Sequence, residues 1–269
     1  MNRPMARFLS VFTLVSRVPI GASFEPDFSR ADLYLPLVGL GAALCSLAGW
    51  FLAQALFREP FLSAVSALSL QYAAFNIFHL DGLLDSADAM VGHIPPERRL
   101  AILKDSRIGA YAFFFGLAAM AAKAAAIAAL GRLGPIAVAA ALVAAPVGGR
   151  AGGALVPLLA KPARPDGLGA LMKGFSPLRL AAGWLLGSLP LAALWAIAGA
   201  APGNAAGIWR TWAAAAAASL LGALMGGVWM ARLYSRRVGG FTGDALGAAV
   251  EIGELACLLV CLGLLRLFA

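Results

Sequence analysis

The chain has 269 residues, 61% of them hydrophobic and only 13% charged, with a mean hydropathy of +0.85 and a net charge of +8. Soluble domains are about half apolar and about a quarter charged, so this composition excludes an ordinary soluble protein and defines an integral membrane protein with several spans. The positive charge sits in short segments between apolar runs, which fits membrane orientation and excludes a nucleic-acid surface.

In chain order, Arg3 and Arg7 followed by Phe8 to Val15 have the look of a short signal peptide, with Gly21-Ala22-Ser23 as a cleavage site. Arg17 and Pro19 interrupt that pattern. Met5, Phe8, Phe12 and Val15 share one helical face while Ser10, Thr13 and Arg17 share another, so a retained helix lying in the membrane interface fits better. Seven apolar stretches follow, at about 33–57, 60–80, 109–130, 134–160, 180–200, 208–230 and 246–266. About 20 apolar residues cross a bilayer core as a helix, and the abundance of Gly and Ala suits close helix packing rather than barrel strands. The expected fold is therefore all-α: a polytopic membrane bundle of about seven transmembrane helices plus the N-terminal interfacial helix. No loop is long enough to fold alone, so residues 1–269 read as a single integral-membrane domain.

The basic residues sort by side under this assignment. Arg3, Arg7, Arg17 and Arg30 precede the first span; Arg98, Arg99, Lys104 and Arg107 follow the second; Lys161, Arg164, Lys173 and Arg179 follow the fourth; Arg232, Arg236 and Arg237 follow the sixth. The positive-inside rule places the N-terminus and these loops in the cytoplasm of a bacterial cell, with the protein in the inner membrane. Cys45, Cys257 and Cys261 all fall in apolar segments and read as buried packing residues. No internal repeat stands out, which weighs against an inverted-repeat transporter.

The most informative segment is His79-Leu80-Asp81-Gly82-Leu83-Leu84-Asp85-Ser86-Ala87-Asp88. Asp81, Asp85 and Asp88 stand at i, i+4 and i+7, which is one face of a helix. Three acids there repel one another unless a cation joins them, and hard divalent cations take carboxylate oxygens. Mg2+ held this way also holds phosphates, so phosphate-ester chemistry at a membrane surface is the expectation. A solvated acidic helix start is the plainer reading.

A second cluster, Lys104-Asp105-Ser106-Arg107, pairs cations suited to phosphate oxygens with an acid that either orients Arg107 or adds a metal oxygen. Arg98 and Arg99 nearby read as membrane anchors. A third, Arg236 to Asp244, contains Gly239, Gly240, Thr242 and Gly243 at a helix start, where backbone N–H groups can face an anion. Beyond it, Glu251 and Glu254 lie inside an apolar span. Two readings stand for them: a functional pair, as intramembrane acids commonly are, or partners of Lys123 or Arg150. Arg150 itself, within Gly148-Gly149-Arg150-Ala151-Gly152-Gly153, must meet anions, either those glutamates or a substrate phosphate. The segment Arg164 to Ala170 reads as a loop, either a lid or a plain connection.

In order along the chain, these pieces resemble the cobalamin synthase family, whose members are adenosylcobinamide-GDP ribazoletransferases. The matching pieces are Phe12-Thr13 with Arg17-Val18-Pro19; Tyr34 to Gly39; His79 to Asp88; Ile102 to Gly109; Arg150; Gly167-Leu168-Gly169; and Gly239 to Ala248 with Glu251 and Glu254. Ser86 stands where the family often has Thr, Ala89 where Gly is usual, and Leu84 where a small residue is common. The resemblance implies transfer of α-ribazole, or its 5′-phosphate, onto adenosylcobinamide-GDP with release of GMP, and Mg2+ as the metal. It implies Asp81, Asp85 and Asp88 as metal ligands. Lys104, Asp105, Arg107, Glu251 and Glu254 would serve catalysis, with His79 or Asp88 activating the ribazole 5′-hydroxyl. Arg150, Gly240, Thr242, Gly243 and Asp244 would bind substrate. The partners are then these small molecules and membrane lipid, with a homo-oligomer left open. The rivals are a CDP-alcohol phosphotransferase, whose Asp-Gly is followed soon by Ala-Arg, a pair absent after Gly82, and a cation transporter, whose acids would spread through the bilayer depth.

Overall fold

Long runs of Ala, Leu and Gly in lipid satisfy their backbone as helices, and the chain takes that course. The structure, a computed structural model, describes residues 2–199 and 205–267, and their side chains except those of residues 168, 194–199, 205 and 206. The elements are α1 (Arg3–Val15), α2 (Ala31–Phe57), α3 (Pro60–Gln71), a π-turn (Tyr72–Asn76), α4 (Ile77–Met90), α5 (Pro96–Ile102), α6 (Ala110–Leu133), α7 (Pro135–Leu159), the single turn α8 (Leu168–Leu171), α9 (Pro177–Gly199), α10 (Ala205–Val238) and α11 (Gly243–Leu267).

Among the described residues six helices are long and apolar enough to cross a membrane: Ala31–Phe57, Pro60–Met90, Ala110–Leu133, Pro135–Leu159, Gly207–Val238 and Gly243–Leu267. The other expected span, 180–200, falls on α9, which runs up to the undescribed residues. The second span differs from expectation. It does not stop near residue 80 but continues through the π-turn into α4 as one helix of 31 residues. At about 1.5 Å per residue such a helix outruns a hydrocarbon core of about 30 Å. The acidic run therefore occupies its final turns, not a loop.

Helix α7 is the hub, packed against α2, α6, α9, α10 and α11. It is buried on nearly every side, which its Ala- and Gly-rich sequence permits. Helices α4 and α11 approach closely at Gly82 and Gly247. A Cβ on Gly82 would lie 2.8 Å from the Asp244 carbonyl oxygen and 3.1 Å from the Gly247 Cα, so only glycine allows this contact.

The N-terminal helix packs on the bundle rather than resting apart from it. Val11 and Val15 are buried, Phe8 meets Tyr34 edge-on at 6.1 Å, and Phe12 meets Phe75 at 5.5 Å. Met5, expected on the apolar face, is half exposed. Two ties hold the segment around α1: Arg7 Nε to Asp27 at 2.8 Å, and the Arg17 N–H donating to the Ala74 carbonyl of the π-turn at 2.8 Å.

Candidate active site

The polar groups gather where α4 ends. Asp81 is exposed and Asp85 half-buried, one turn apart on α4. The charges of Asp81, Asp244 and Asp88 all act on Asp85. Asp244 arrives from the first turn of α11, placed there by the Gly82–Gly247 approach, and accepts from the Thr242 hydroxyl at 2.9 Å. Among the described residues Asp81, Asp85 and Asp244 have no basic ion-pair partner.

Asp88 is used differently. Its two carboxylate oxygens accept from the Gly109 N–H at 2.6 Å and the Ala112 N–H at 2.9 Å, capping the N-terminus of α6. Such a cap satisfies orphan amides and lies at the positive end of the helix dipole. Among the described residues no three His, Cys, Asp or Glu side chains form a ready-made metal cage. Mg2+ asks for less, since one or two carboxylates with water and phosphate oxygens complete its shell. The Asp81 and Asp85 pair, crowded by Asp244 and uncompensated, fits such a cation.

A groove of three lobes surrounds these acids. The first, about 360 Å³, is lined by Leu14, Ser16, Arg17, Tyr72, Phe75, Phe78 and Asp81. The second, about 260 Å³, is lined by Asp81, Asp85, Lys104, Asp105 and Arg107. The third, about 350 Å³, is lined by Arg164, Asp166, Phe241, Thr242, Gly243 and Asp244. Asp81 belongs to the first two, and Leu14 and Phe78 belong to the first and third.

In the second lobe Arg107 forks onto Asp105, with Nε at 2.9 and 3.1 Å and Nη2 at 2.5 Å. Hydrogen bonds from the Arg107 side chain, then its backbone N–H, hold the Asp105 carboxyl down at about 2. Asp105 thus orients Arg107, while Lys104 stays exposed beside Asp81 and Asp85.

In the third lobe, the Ala163 N–H donates to Phe241 O at 2.8 Å and the Phe241 N–H to Lys161 O at 2.9 Å, stitching the loop after α7 to the glycine turn. Gly240 is buried in this seam, where a Cβ would lie 2.5 Å from the Lys161 carbonyl oxygen. Its neighbours Thr242, Gly243 and Asp244 form the lobe wall. The Arg164 to Ala170 segment is the facing wall, with Arg164 donating to the Leu100 carbonyl at 2.7 Å.

The remaining expected residues lie deeper. Lys123 Nζ contacts Glu251 at 2.7 Å and Glu254 at 2.8 Å, and Arg150 Nη1 contacts Glu254 at 3.2 Å. Asn76 donates to both glutamates and accepts from Arg150 Nη2 at 2.8 Å; Gln71 donates to Glu254, and the Tyr72 hydroxyl to Glu251. All four charged side chains are buried, and none lines the groove. Arg150 therefore meets the glutamates, one of the two anions its position called for. His79 is buried as well, with neither ring nitrogen hydrogen-bonded. Arg99 is not a membrane anchor: it is buried and donates to the Ala89 and Gly92 carbonyls at 2.7 and 2.8 Å, closing the C-terminus of α4.

Sequence reasoning missed Tyr72, Asn76 and Gln71, which resemble ordinary span residues, and Arg164, which resembles a topology-setting cation. The unpaired charges of Lys123 and Arg150 within apolar spans were the available signal that a polar network awaited them.

Fold and groove together define a multi-pass helical membrane protein with an acidic site flanked by cations, the makeup of a membrane transferase. The family model described as cobalamin-5-phosphate synthase matches residues 7–262. Adenosylcobinamide-GDP ribazoletransferase of Bradyrhizobium diazoefficiens is 34% identical over 92% of this chain and 90% of its own length. The protein of that name from Pseudomonas aeruginosa PAO1 is 36% identical over 96% and 98%, and that of Fervidobacterium nodosum 27% over 97% and 98%. No solved structure matches. The chain belongs to the cobalamin-5-phosphate synthase family, and is a transferase of cobalamin biosynthesis.

Proposed function

We propose that the protein joins adenosylcobinamide-GDP to α-ribazole or α-ribazole 5′-phosphate, giving adenosylcobalamin or its 5′-phosphate with release of GMP. The observation that carries this reading is the meeting of the first two lobes at Asp81, with the third adjoining the first at Leu14 and Phe78, so that carboxylates and cations share one groove. A ribose hydroxyl oxygen bonds to the phosphorus that bears the cobinamide ester. The bond from that phosphorus to the bridging oxygen breaks, GMP departs with the oxygen, and the hydroxyl proton leaves to a base. Because a 5′-phosphate on the acceptor survives into the product, the attacking hydroxyl is not the 5′ one.

Asp81 and Asp85 would hold Mg2+, which when bound offsets the charge developing on the pyrophosphate. Lys104 and Arg107 contact phosphate oxygens from the second lobe, with Arg107 aimed by Asp105. Thr242, Gly243 and Asp244 form the wall against which the guanosine of the donor lies, its phosphates reaching the second lobe. Asp88 supports the site by fixing the start of α6. The geometry lends no support to His79 as the base, since its ring is buried away from the groove wall. Glu251 and Glu254, neutralised by Lys123 and Arg150, hold the bundle beneath the groove. The groove opens to the cytoplasm of the inner membrane, as the clustering of basic loops around it supports.

The test is turnover in isolated membranes supplied with adenosylcobinamide-GDP, α-ribazole or its 5′-phosphate, and Mg2+. GMP and a cobalamin-type product are expected, lost with EDTA and restored by Mg2+. Absence of product with both acceptors from folded protein refutes the reading.

A further inference from the structure

The first lobe has no role in the chemistry above, yet it is built. Arg17 lines it, is exposed, and has no salt-bridge partner among the described residues. Its backbone is nevertheless fixed, because its N–H is held by the Ala74 carbonyl at 2.8 Å. That carbonyl belongs to the π-turn, the kind of helix irregularity that gathers at functional sites. Ser16 lines the same lobe, and its hydroxyl is buried with no hydrogen-bond partner. An anchored, unpaired arginine beside an unsatisfied hydroxyl is a donor set without an acceptor. Leu14, Phe75 and Phe78 supply an apolar, aromatic wall alongside.

We propose that this lobe is the acceptor subsite, with Arg17 and Ser16 binding the 5′-phosphate of the riboside and the aromatic wall taking its base. The assignment rests on the function proposed above. The second lobe already offers Lys104 and Arg107 to the donor pyrophosphate, and it meets the first at Asp81, which brings acceptor and donor together at the metal-binding acids. The third lobe suits a phosphate less well. Its Arg164 already donates to Leu100, and Asp166 and Asp244 oppose an anion there.

The 5′-phosphate takes no part in bond making, so its contact with Arg17 is equally strong in ground and transition states. Such uniform binding changes KM and leaves kcat alone. A hydrogen bond between charged groups corresponds to roughly a ten- to hundredfold change in affinity.

The experiment measures GMP release at saturating donor and Mg2+, varying α-ribazole and α-ribazole 5′-phosphate in turn, for the wild type, Arg17→Ala and Arg17→Lys. Arg17→Ala should raise KM for the phosphorylated acceptor roughly ten- to hundredfold. Its KM for the unphosphorylated riboside and for the donor should stay near wild type, and Arg17→Lys should recover part of the loss. Arg17→Gln, which removes the charge and keeps much of the length, carries the same test if the alanine variant does not accumulate. Equal losses with both acceptors, or a loss in donor KM alone, overturn the subsite while leaving the reaction intact. A wild type that releases no GMP with either acceptor overturns the reaction itself, and this assignment with it.

Discussion

Replacing Lys123 by methionine tests how the interior of the bundle is held. The buried charges of Lys123, Arg150, Glu251 and Glu254 cancel, and their neutral partners are Gln71, Tyr72 and Asn76. Among the described residues Lys123 is the only cation paired with Glu251, whereas Glu254 also has Arg150. Lys123→Met therefore strands Glu251 with neutral donors alone. Removing one member of a buried ion pair costs about 3–5 kcal/mol, because the other charge stays desolvated. The two double variants then separate. Lys123→Met with Glu251→Gln leaves the Arg150–Glu254 pair neutral and should recover most of that loss. Lys123→Met with Glu254→Gln leaves both Glu251 and Arg150 unpaired and should recover none. The assay is the temperature at which detergent-solubilised protein aggregates, read by fluorescence-detected gel filtration, which ranks the variants even where unfolding is irreversible. A Lys123→Met protein as stable as wild type, or a better rescue by Glu254→Gln than by Glu251→Gln, would refute the reasoning.

Three further outcomes concern the groove. Asp85→Asn should reduce turnover by about a hundred- to a thousandfold, comparable to losing a key electrostatic contact, with expression and membrane insertion unchanged. Near-normal GMP release would remove Asp85 from the metal site. Asp88→Ala should cost about 1 kcal/mol of stability through the α6 cap, and Asp88→Asn less because an acceptor oxygen remains; an Asp88→Asn variant as inactive as Asp85→Asn but fully stable would place Asp88 on the metal instead. Asp105 has its carboxyl lowered from 3.8 to about 2 by the Arg107 hydrogen bonds. Its contribution is complete above 3.8 and fades only as pH falls through about 2, so the ratio of donor KM between Asp105→Asn and wild type should be the same at pH 6 and pH 8. A ratio that changes across that interval would show Asp105 titrating there.

Much of this was legible from local pattern. Asp81 and Asp85 project from the same side of α4 because the spacing of four is a property of any helix. The pairing of Asp105 with Arg107 is equally local, a contact between residues two apart. Asp88 shares the spacing, yet its use depends on where α6 begins, and that is a tertiary matter. The choice for Glu251 and Glu254 was likewise open in the sequence, since apolar spans containing both acids and bases fit either a site or an ion-pair network.

The sequence by itself determined that this is a helical membrane protein with most of its cations at the ends of the spans, because lipid admits only helices or closed barrels, apolar runs of about 20 residues rich in Ala and Gly select helices, and hydropathy is read residue by residue. Only the tertiary structure decided which charges meet. The approach of α4 to α11 at Gly82 and Gly247 sets Asp244 beside Asp85. The contact of α6 and α7 with α11 directs Lys123 and Arg150 to the glutamates. The π-turn docks Arg17 at the first lobe. Charge pairing depends on distances of a few ångströms between segments far apart in the chain, and no local periodicity encodes those distances.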